Sequence, residues 1–270
     1  MQAPSRSEVS AGASRSRRVK IGLIAIDALE FDEAVDAIEA LVGRRQGGTV
    51  FTPNVDHFLL AEDEPDFRVA YEETDLSLVD GTPVMWAASL LGSPLPAKIS
   101  GSDLIRPLSA RAAVRGWRVY LLGGRPGIAA QAKEILEREY PGLQIVGTSS
   151  PMVDLSKDVS EQEDVLEAVR AARPDLLFLA LGSPKQEIWA HRIRGRVGPA
   201  VMVGIGATLD FVTGAASRSP PWMSAAGLEW VYRLAHEPQR LWRRYLVRDP
   251  RFLAVLAREA LSRLSRDGRA

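Results

Sequence analysis

Trp117-Arg-Val-Tyr-Leu-Leu-Gly-Gly124, followed by the run Gly127-Ile-Ala-Ala-Gln-Ala-Lys-Glu-Ile-Leu-Glu-Arg-Glu-Tyr140, decides the fold class of this chain. The first stretch is a continuous apolar strand that ends in paired glycines. The second is an amphipathic helix, stopped by Pro141-Gly142. A strand that is apolar throughout, rather than at every second position, is covered on both faces. The same unit recurs downstream. LQIVGTS (143–149) precedes the helical run EDVLEAVRAARP, DLLFLALG (175–182) precedes PKQEIWAHRIRGRV with Pro184 as its first helical residue, and PAVMVGIGA (199–207) reads as the last strand. Upstream, VKIGLIAI (19–26) reads as one buried strand, and TVFT (49–52) and LSLV (76–79) as two more. Helices are expected over 31–45, 55–73, 83–91 and 102–115, the last stopped by Gly116. Strands alternating with helices predict an α/β protein, a Rossmann-like parallel sheet with helices on both faces, plus a C-terminal helical appendage.

The 270 residues carry 34 Lys+Arg and 34 Asp+Glu, a formal charge of zero. The balance is local rather than general. Residues 1–20 hold five basic residues and one acidic one; residues 228–270 hold ten arginines and five acidic residues; the body between is acidic. This divides the chain into a disordered basic arm (1–18), an α/β catalytic domain (19–212), a Gly/Ser/Pro-rich linker (213–227) and a basic helical appendage (228–270). There is no cysteine, which excludes disulfides, thiolate metal sites and cysteine nucleophiles. No apolar run reaches the length of a membrane span, and the N-terminal segment lacks the apolar core of a secretory signal.

Ligands of open parallel sheets sit beyond the carboxyl ends of the strands. Thr52-Pro53-Asn54, Asp80-Gly81, Gly123-Gly124, Gly182-Ser-Pro184-Lys185-Gln186-Glu187 and Gly204-Ile-Gly206 all fall there. Asp80 reads either as a general base for an attacking hydroxyl or as a turn and helix cap. Gly123-Gly124 reads as a tight turn requiring positive φ or as a loop whose N–H groups approach a phosphate. Gly182 to Glu187 opens a helix where Lys185 and Gln186 can grip phosphate, sugar or base edges, or simply starts that helix. GGRPG lacks the GxGxxG spacing and the acidic residue beyond it, which argues against a nicotinamide cofactor, and no P-loop lysine pattern exists. His57 and Asp210 lack the company a metal needs, so no metal site is expected.

The tail interleaves Arg233, Arg240, Arg243, Arg244, Arg248 and Arg251 with Trp230, Tyr232, Trp242, Tyr245 and Phe252. Arg240, Arg243 and Arg244 are spaced to line one helix face. Guanidinium forks suit phosphate oxygens, and Trp and Tyr suit a membrane headgroup layer. A solvated helix with its aromatics in the core is the plainer alternative. The acidic body argues against a nucleic-acid partner.

Together TPNVDHF, LVDGTPVMWAASLLG, KISGSDL, VYLLGGRPG, LGSPKQEIW and GLEWVYRLAHEPQRLWRRYL resemble the WecG/TagA/CpsF glycosyltransferases, over roughly residues 20–248. The resemblance implies an inverting, metal-independent, cofactor-free transferase. It would move an N-acetylmannosamine-type sugar or related hexose from a UDP-sugar to an undecaprenyl-diphosphate-linked acceptor, in cell-surface polysaccharide or teichoic acid synthesis. By motif, Asp80 matches the catalytic base, and Thr52, Asn54 and Gln186 match nucleotide-sugar residues. Gly123, Gly124, Gly182, Pro184, Lys185 and Glu187 complete that expected donor set. Lys98, where relatives often carry arginine, and Arg233, Arg240 and Arg243 are expected on the acceptor diphosphate. Expected partners are the UDP-sugar, the lipid-linked acceptor and, through the tail, the inner face of the cell membrane. Exposed apolar tail residues would also suit a homodimer. The rival readings are a nicotinamide oxidoreductase and a non-catalytic UDP-sugar-binding module.

Overall fold

A computed structural model describes residues 17–236 and 238–267. Most of the basic arm expected over 1–18 lies outside them. Arg18, however, is not part of an arm. It opens β1 (Arg18–Ile21), and its guanidinium grips the Asp27 carboxylate at 2.9 and 3.1 Å. β1 pairs antiparallel with β2 (Ile24–Asp27). The run 19–26 is therefore a hairpin rather than one strand. Gly22, at φ 54°, turns the chain inside an apolar stretch whose pattern gives no sign of a break.

α1 (Phe31–Arg44) starts in a reciprocal capping box between Glu30 and Glu33. β3 (Gly48–Phe51) leads through Thr52-Pro53 to α2 (Val55–Asp63), capped by the Asn54 side chain. The helix expected over 55–73 is broken at Glu64, because Pro65 begins a separate helix, α3 (Pro65–Glu72). β4 (Leu76–Ser77), α4 (Thr82–Leu90) and α5 (Gly101–Arg115) follow, and Gly116 closes α5 in the left-handed region as expected. Next come β5 (Arg118–Gly123), α6 (Ile128–Glu139), β6 (Gln144–Ser149), α7 (Glu163–Ala172), β7 (Leu176–Ala180), α8 (Lys185–Ile193), β8 (Val201–Gly204) and α9 (Thr208–Val212). Pro184 caps α8 rather than entering it.

The six strands form one parallel sheet in the order β4-β3-β8-β7-β5-β6. Alternate residues of each strand enter opposite cores. Phe51, Leu122, Leu177, Leu179 and Met202 pack on one face with Phe58, Phe67, Ile188 and Trp189. Val50, Leu121, Phe178, Val201 and Val203 pack on the other with Ile38, Leu104, Leu108 and Leu136. Helices on both faces bury both sets, which is why the strands read as unbroken apolar runs.

The segment expected as a linker contains a short helix, α10 (Pro221–Ala225). The tail is helical: α11 (Glu229–His236), α12 (Pro238–Arg243), a π-helical turn (Arg244–Arg248), a 3-10 turn (Asp249–Arg251) and α13 (Phe252–Asp267). It folds back onto the body. Phe252 and Val255 are buried in the first core, with the Phe252 ring 5.2 Å from that of Phe58. Arg251 forks onto Asp63 at 2.8 and 2.9 Å, Arg258 pairs with Glu62, and Arg263 donates to the Lys20 and Leu91 carbonyls. Among the described residues no helix is long and apolar enough to cross a membrane.

Candidate active site

Asp80 lies just past β4, where Leu78 N–H still donates to the Phe51 carbonyl. Gly81 then turns at φ 114°, a conformation that favours glycine, and α4 begins. The turn sets Asp80 against the exit of β3, its own N–H donating to the Pro53 carbonyl at 2.9 Å. Burial raises the Asp80 carboxyl to about pH 6; Glu229 pushes the same way, and Arg233 and Lys98 oppose it.

Asp80 and Asn54 share the wall of a cavity of about 280 Å³. Thr82 and Pro83 of α4 continue it, and the tail supplies its far side through Glu229, Trp230, Arg233, Arg244, Tyr245 and Phe252. The pocket thus lies between the sheet's carboxyl edge and the tail. Arg233 is paired with Glu229 at 2.6 Å. Arg244 donates to Asn54 Oδ1 at 3.1 Å and stands 3.5 Å from the Asp56 carboxylate, which Arg248 approaches at 3.2 Å. A second cavity of about 490 Å³ adjoins the first through Thr82 and Ser224, and Lys98 lines it with Asp103 and Arg218. Lys98 Nζ donates to Ser224 Oγ at 2.8 Å and lies 4.0 Å from Glu229, tying the body to the start of the tail.

The expected residues divide accordingly. Asp80, Asn54 and Arg233 meet in the first cavity, with Lys98 next door. Thr52 is buried at the exit of β3, two residues before Asn54. Arg243 turns elsewhere: it is exposed, with its guanidinium 5.3 Å from the Trp242 ring. Arg243 and Arg244 therefore do not share the helix face expected for Arg240, Arg243 and Arg244: Arg244 reaches Asn54. Arg240 belongs to α12, but its side chain lies outside the described residues.

The other donor-set residues gather at the exits of β5 and β7. Gly123 has φ 115°, and a Cβ there would run into the Ala180 carbonyl oxygen. Gly124 donates its N–H to that same carbonyl at 2.9 Å, so this N–H is committed within the protein. The glycine pair thus makes the tight turn of positive φ that one of its two readings requires. Gly182, at φ 73°, accepts from the Gln186 N–H. Ser183 and Pro184 are joined by a cis peptide bond. Lys185 Nζ donates to the Val153 carbonyl at 3.0 Å, away from Asp80's cavity. Gln186 is buried, its Oε1 accepting from Gly206 N–H and its Nε2 donating to Glu187 Oε1. Glu187 is fully buried, with Oε2 unpartnered, and burial raises it to about pH 7.

His57 is a packed core residue: its Nδ1 lies 2.6 Å from the Tyr71 hydroxyl, and burial with nearby Arg244 and Arg248 lowers it to about pH 3. Asp210 pairs with Arg125 at 3.0 Å. Among the described residues no three His, Asp or Glu side chains converge as a metal site would need. Glu229 is a cavity residue that sequence reasoning left out; it named Arg244 and Tyr245 only as part of the basic aromatic tail, and it did not single out Asp56, the partner of Arg244. Asp56 is inside the TPNVDHF run, but no spacing rule connects it to an arginine far along the chain.

A carboxylate with a raised pKa at a strand exit, sharing its cavity with Arg233 and lying near Lys98, suits transfer to a hydroxyl from an anionic leaving group. The sequence model of the glycosyl transferase WecG/TagA/CpsF family matches residues 19–266. The chain belongs to that family. Two curated relatives fit it. A protein of Bacillus spizizenii named N-acetylglucosaminyldiphosphoundecaprenol N-acetyl-beta-D-mannosaminyltransferase is 33% identical over 219 residues, covering 81% of this chain and 82% of the relative. A Bacillus subtilis protein of the same name is 30% identical, covering the same shares. The family match extends through the tail, so the tail wall of the cavity belongs to the glycosyltransferase and is no separate addition.

Proposed function

We propose that this glycosyltransferase moves an N-acetylmannosamine-type sugar or related hexose from a UDP-sugar to an undecaprenyl-diphosphate-linked sugar, with inversion and without a metal. The observation that carries this reading is Asp80 in one cavity with Arg233. Ionised Asp80 would take the proton of the acceptor hydroxyl. The hydroxyl oxygen would bond to the donor's anomeric carbon as the bond from that carbon to the UDP oxygen breaks. A carboxyl near pH 6 is ionised at neutral pH yet basic enough to accept that proton. The departing diphosphate needs positive charge, and preorganised cations in a closed site supply it best. Lys185, already engaged with Val153, is less suited than Arg233, which lines the cavity with Asp80.

The relatives' names specify a diphosphoundecaprenol acceptor, which supports a membrane-bound substrate here. Exposed Trp222, Trp230, Trp242, Leu246 and Leu253 beside the tail arginines support docking at the inner membrane surface. The same apolar residues are available to a second copy of the chain. The glycine turn at β5 lacks free N–H groups at Gly124, which argues against a nicotinamide dinucleotide.

A panel of UDP-sugars incubated with a short-chain lipid-diphosphate acceptor tests the reading. UDP release that requires both acceptor and one donor sugar is expected. Donor binding without UDP release would establish a binding module instead, and a thermal shift with NAD but not UDP would establish the oxidoreductase.

A further inference from the structure

We propose that Arg244 is a positioning residue that fixes the Asn54 side-chain amide, so that Asn54 meets the ligand as a hydrogen-bond donor. The inference rests on reading the cavity as the nucleotide-sugar site. Two groups converge on Asn54 Oδ1: the backbone N–H of Asp56 and the guanidinium of Arg244, each at 3.1 Å. Neither can accept a hydrogen bond, so the atom they share must be the amide oxygen. This settles which end of the amide is which by chemistry. The Nδ2 group has no partner among the described residues and is left for the occupant of the cavity that Asn54 lines. Asn54 would therefore select an oxygen that accepts: a phosphoryl oxygen, a carbonyl or a sugar hydroxyl lone pair.

The first of the two locks is local, because Asn54 caps α2 through Asp56 N–H. The second spans 190 residues and exists only when the tail is docked. Arg244 is itself held by charge. Its Nε lies 3.5 Å from Asp56 Oδ2, and Arg248 stands 3.2 Å from Oδ1 of the same buried carboxylate. Arg244 and Arg248 are four residues apart on one helical turn, a spacing that puts both on the face toward Asp56. Tail closure and donor recognition would thus meet at one amide. A ligand oxygen finds a fixed donor only when Arg244 is in place.

The test is a double-mutant cycle with Asn54→Ala and Arg244→Met, with Arg244→Lys as the rescue variant that keeps charge and a donor. Asn54→Ala is expected to raise donor KM on the order of tenfold, with kcat changed far less. Arg244→Met should do the same, and Arg244→Lys should restore most of the loss. The double variant should be no worse than about twofold beyond the weaker single variant, because the two residues act as one unit. Effects that multiply would overturn the proposal and make Arg244 an independent phosphate ligand. An arm that needs no turnover follows the Asn54 side-chain amide resonances by NMR, assigned by their loss in Asn54→Ala. They should shift and broaden in Arg244→Met; unchanged resonances would overturn the lock. Wild-type protein that releases no UDP would refute the glycosyltransfer reading alone and leave the lock to the NMR result.

Discussion

The Asp80 backbone N–H donates to the Pro53 carbonyl at 2.9 Å, fastening the exit of β4 to the exit of β3. One hydrogen bond therefore sets the carboxylate proposed as the base beside Asn54, the residue proposed to meet the donor. Asp80→Asn keeps this backbone contact and removes only the base. Transfer should fall by about 10²-fold or more, while UDP-sugar binding measured by calorimetry stays near wild type. Near-normal turnover would remove Asp80 from the role.

Glu229 raises the Asp80 carboxyl, second only to burial, while Arg233 and Lys98 lower it. Activity should fall as pH drops through about 6, where Asp80 takes up a proton. In Glu229→Gln one raising charge is gone, and the acid limb of the kcat/KM profile should move to lower pH. An acid limb that stays in place, or moves upward, would show that another group controls it.

Glu187 has a stability consequence of the opposite kind from a surface carboxylate. Burial, only partly offset by the Gln186 amide, raises it from 4.5 to about 7. Between those values the folded protein holds a proton that the unfolded chain has released, so stability falls as pH rises through this window. Glu187→Gln keeps an oxygen for Gln186 Nε2 and cannot ionise. Its thermal midpoint should match wild type near pH 4.5 and exceed it at pH 8, by an amount on the order of 2 kcal/mol in stability. A difference independent of pH would contradict this account.

Gly123 holds φ 115° with the Ala180 carbonyl where a side chain would begin. Gly123→Ala should lower stability by roughly 2 kcal/mol or more, from backbone strain plus displacement of β7. Chemical denaturation measures it. A midpoint within error of wild type would mean that the turn reshapes freely.

Phe252 packs its ring against Phe58 in the body's core. Phe252→Ala should loosen the tail by about 3 kcal/mol, visible as faster proteolysis between α12 and α13 while the sheet's amides remain protected. Equal cleavage rates would show that the ion pairs alone hold the tail.

The sequence by itself determined the parallel sheet, because strands buried on both faces must be apolar at every position and their neighbours must be helices. LLFLA and VMVG carry that demand in their composition. It also marked the strand exits, since Asp80, Asn54 and the glycines are what a sheet edge holds where a ligand approaches. What it missed were places where one residue changes the outcome. Gly22 turns one apolar run into a hairpin, and Pro65 divides a helix. Tertiary structure alone decided which polar groups face the cavity. Gln186 and Lys185 belong to the expected donor set, and each also makes hydrogen bonds inside the protein, to Gly206 and Glu187 and to Val153, that no motif foretells. Arg243 and Arg244 are adjacent and chemically identical, but neighbouring helix positions point about 100° apart, and one side chain lies over Trp242 while the other reaches Asn54 and Asp56. Periodicity reports which face of an element is apolar. Which of two arginines finds a carboxylate across 190 residues depends on how the tail docks, and that becomes visible only when both ends of the contact are in place.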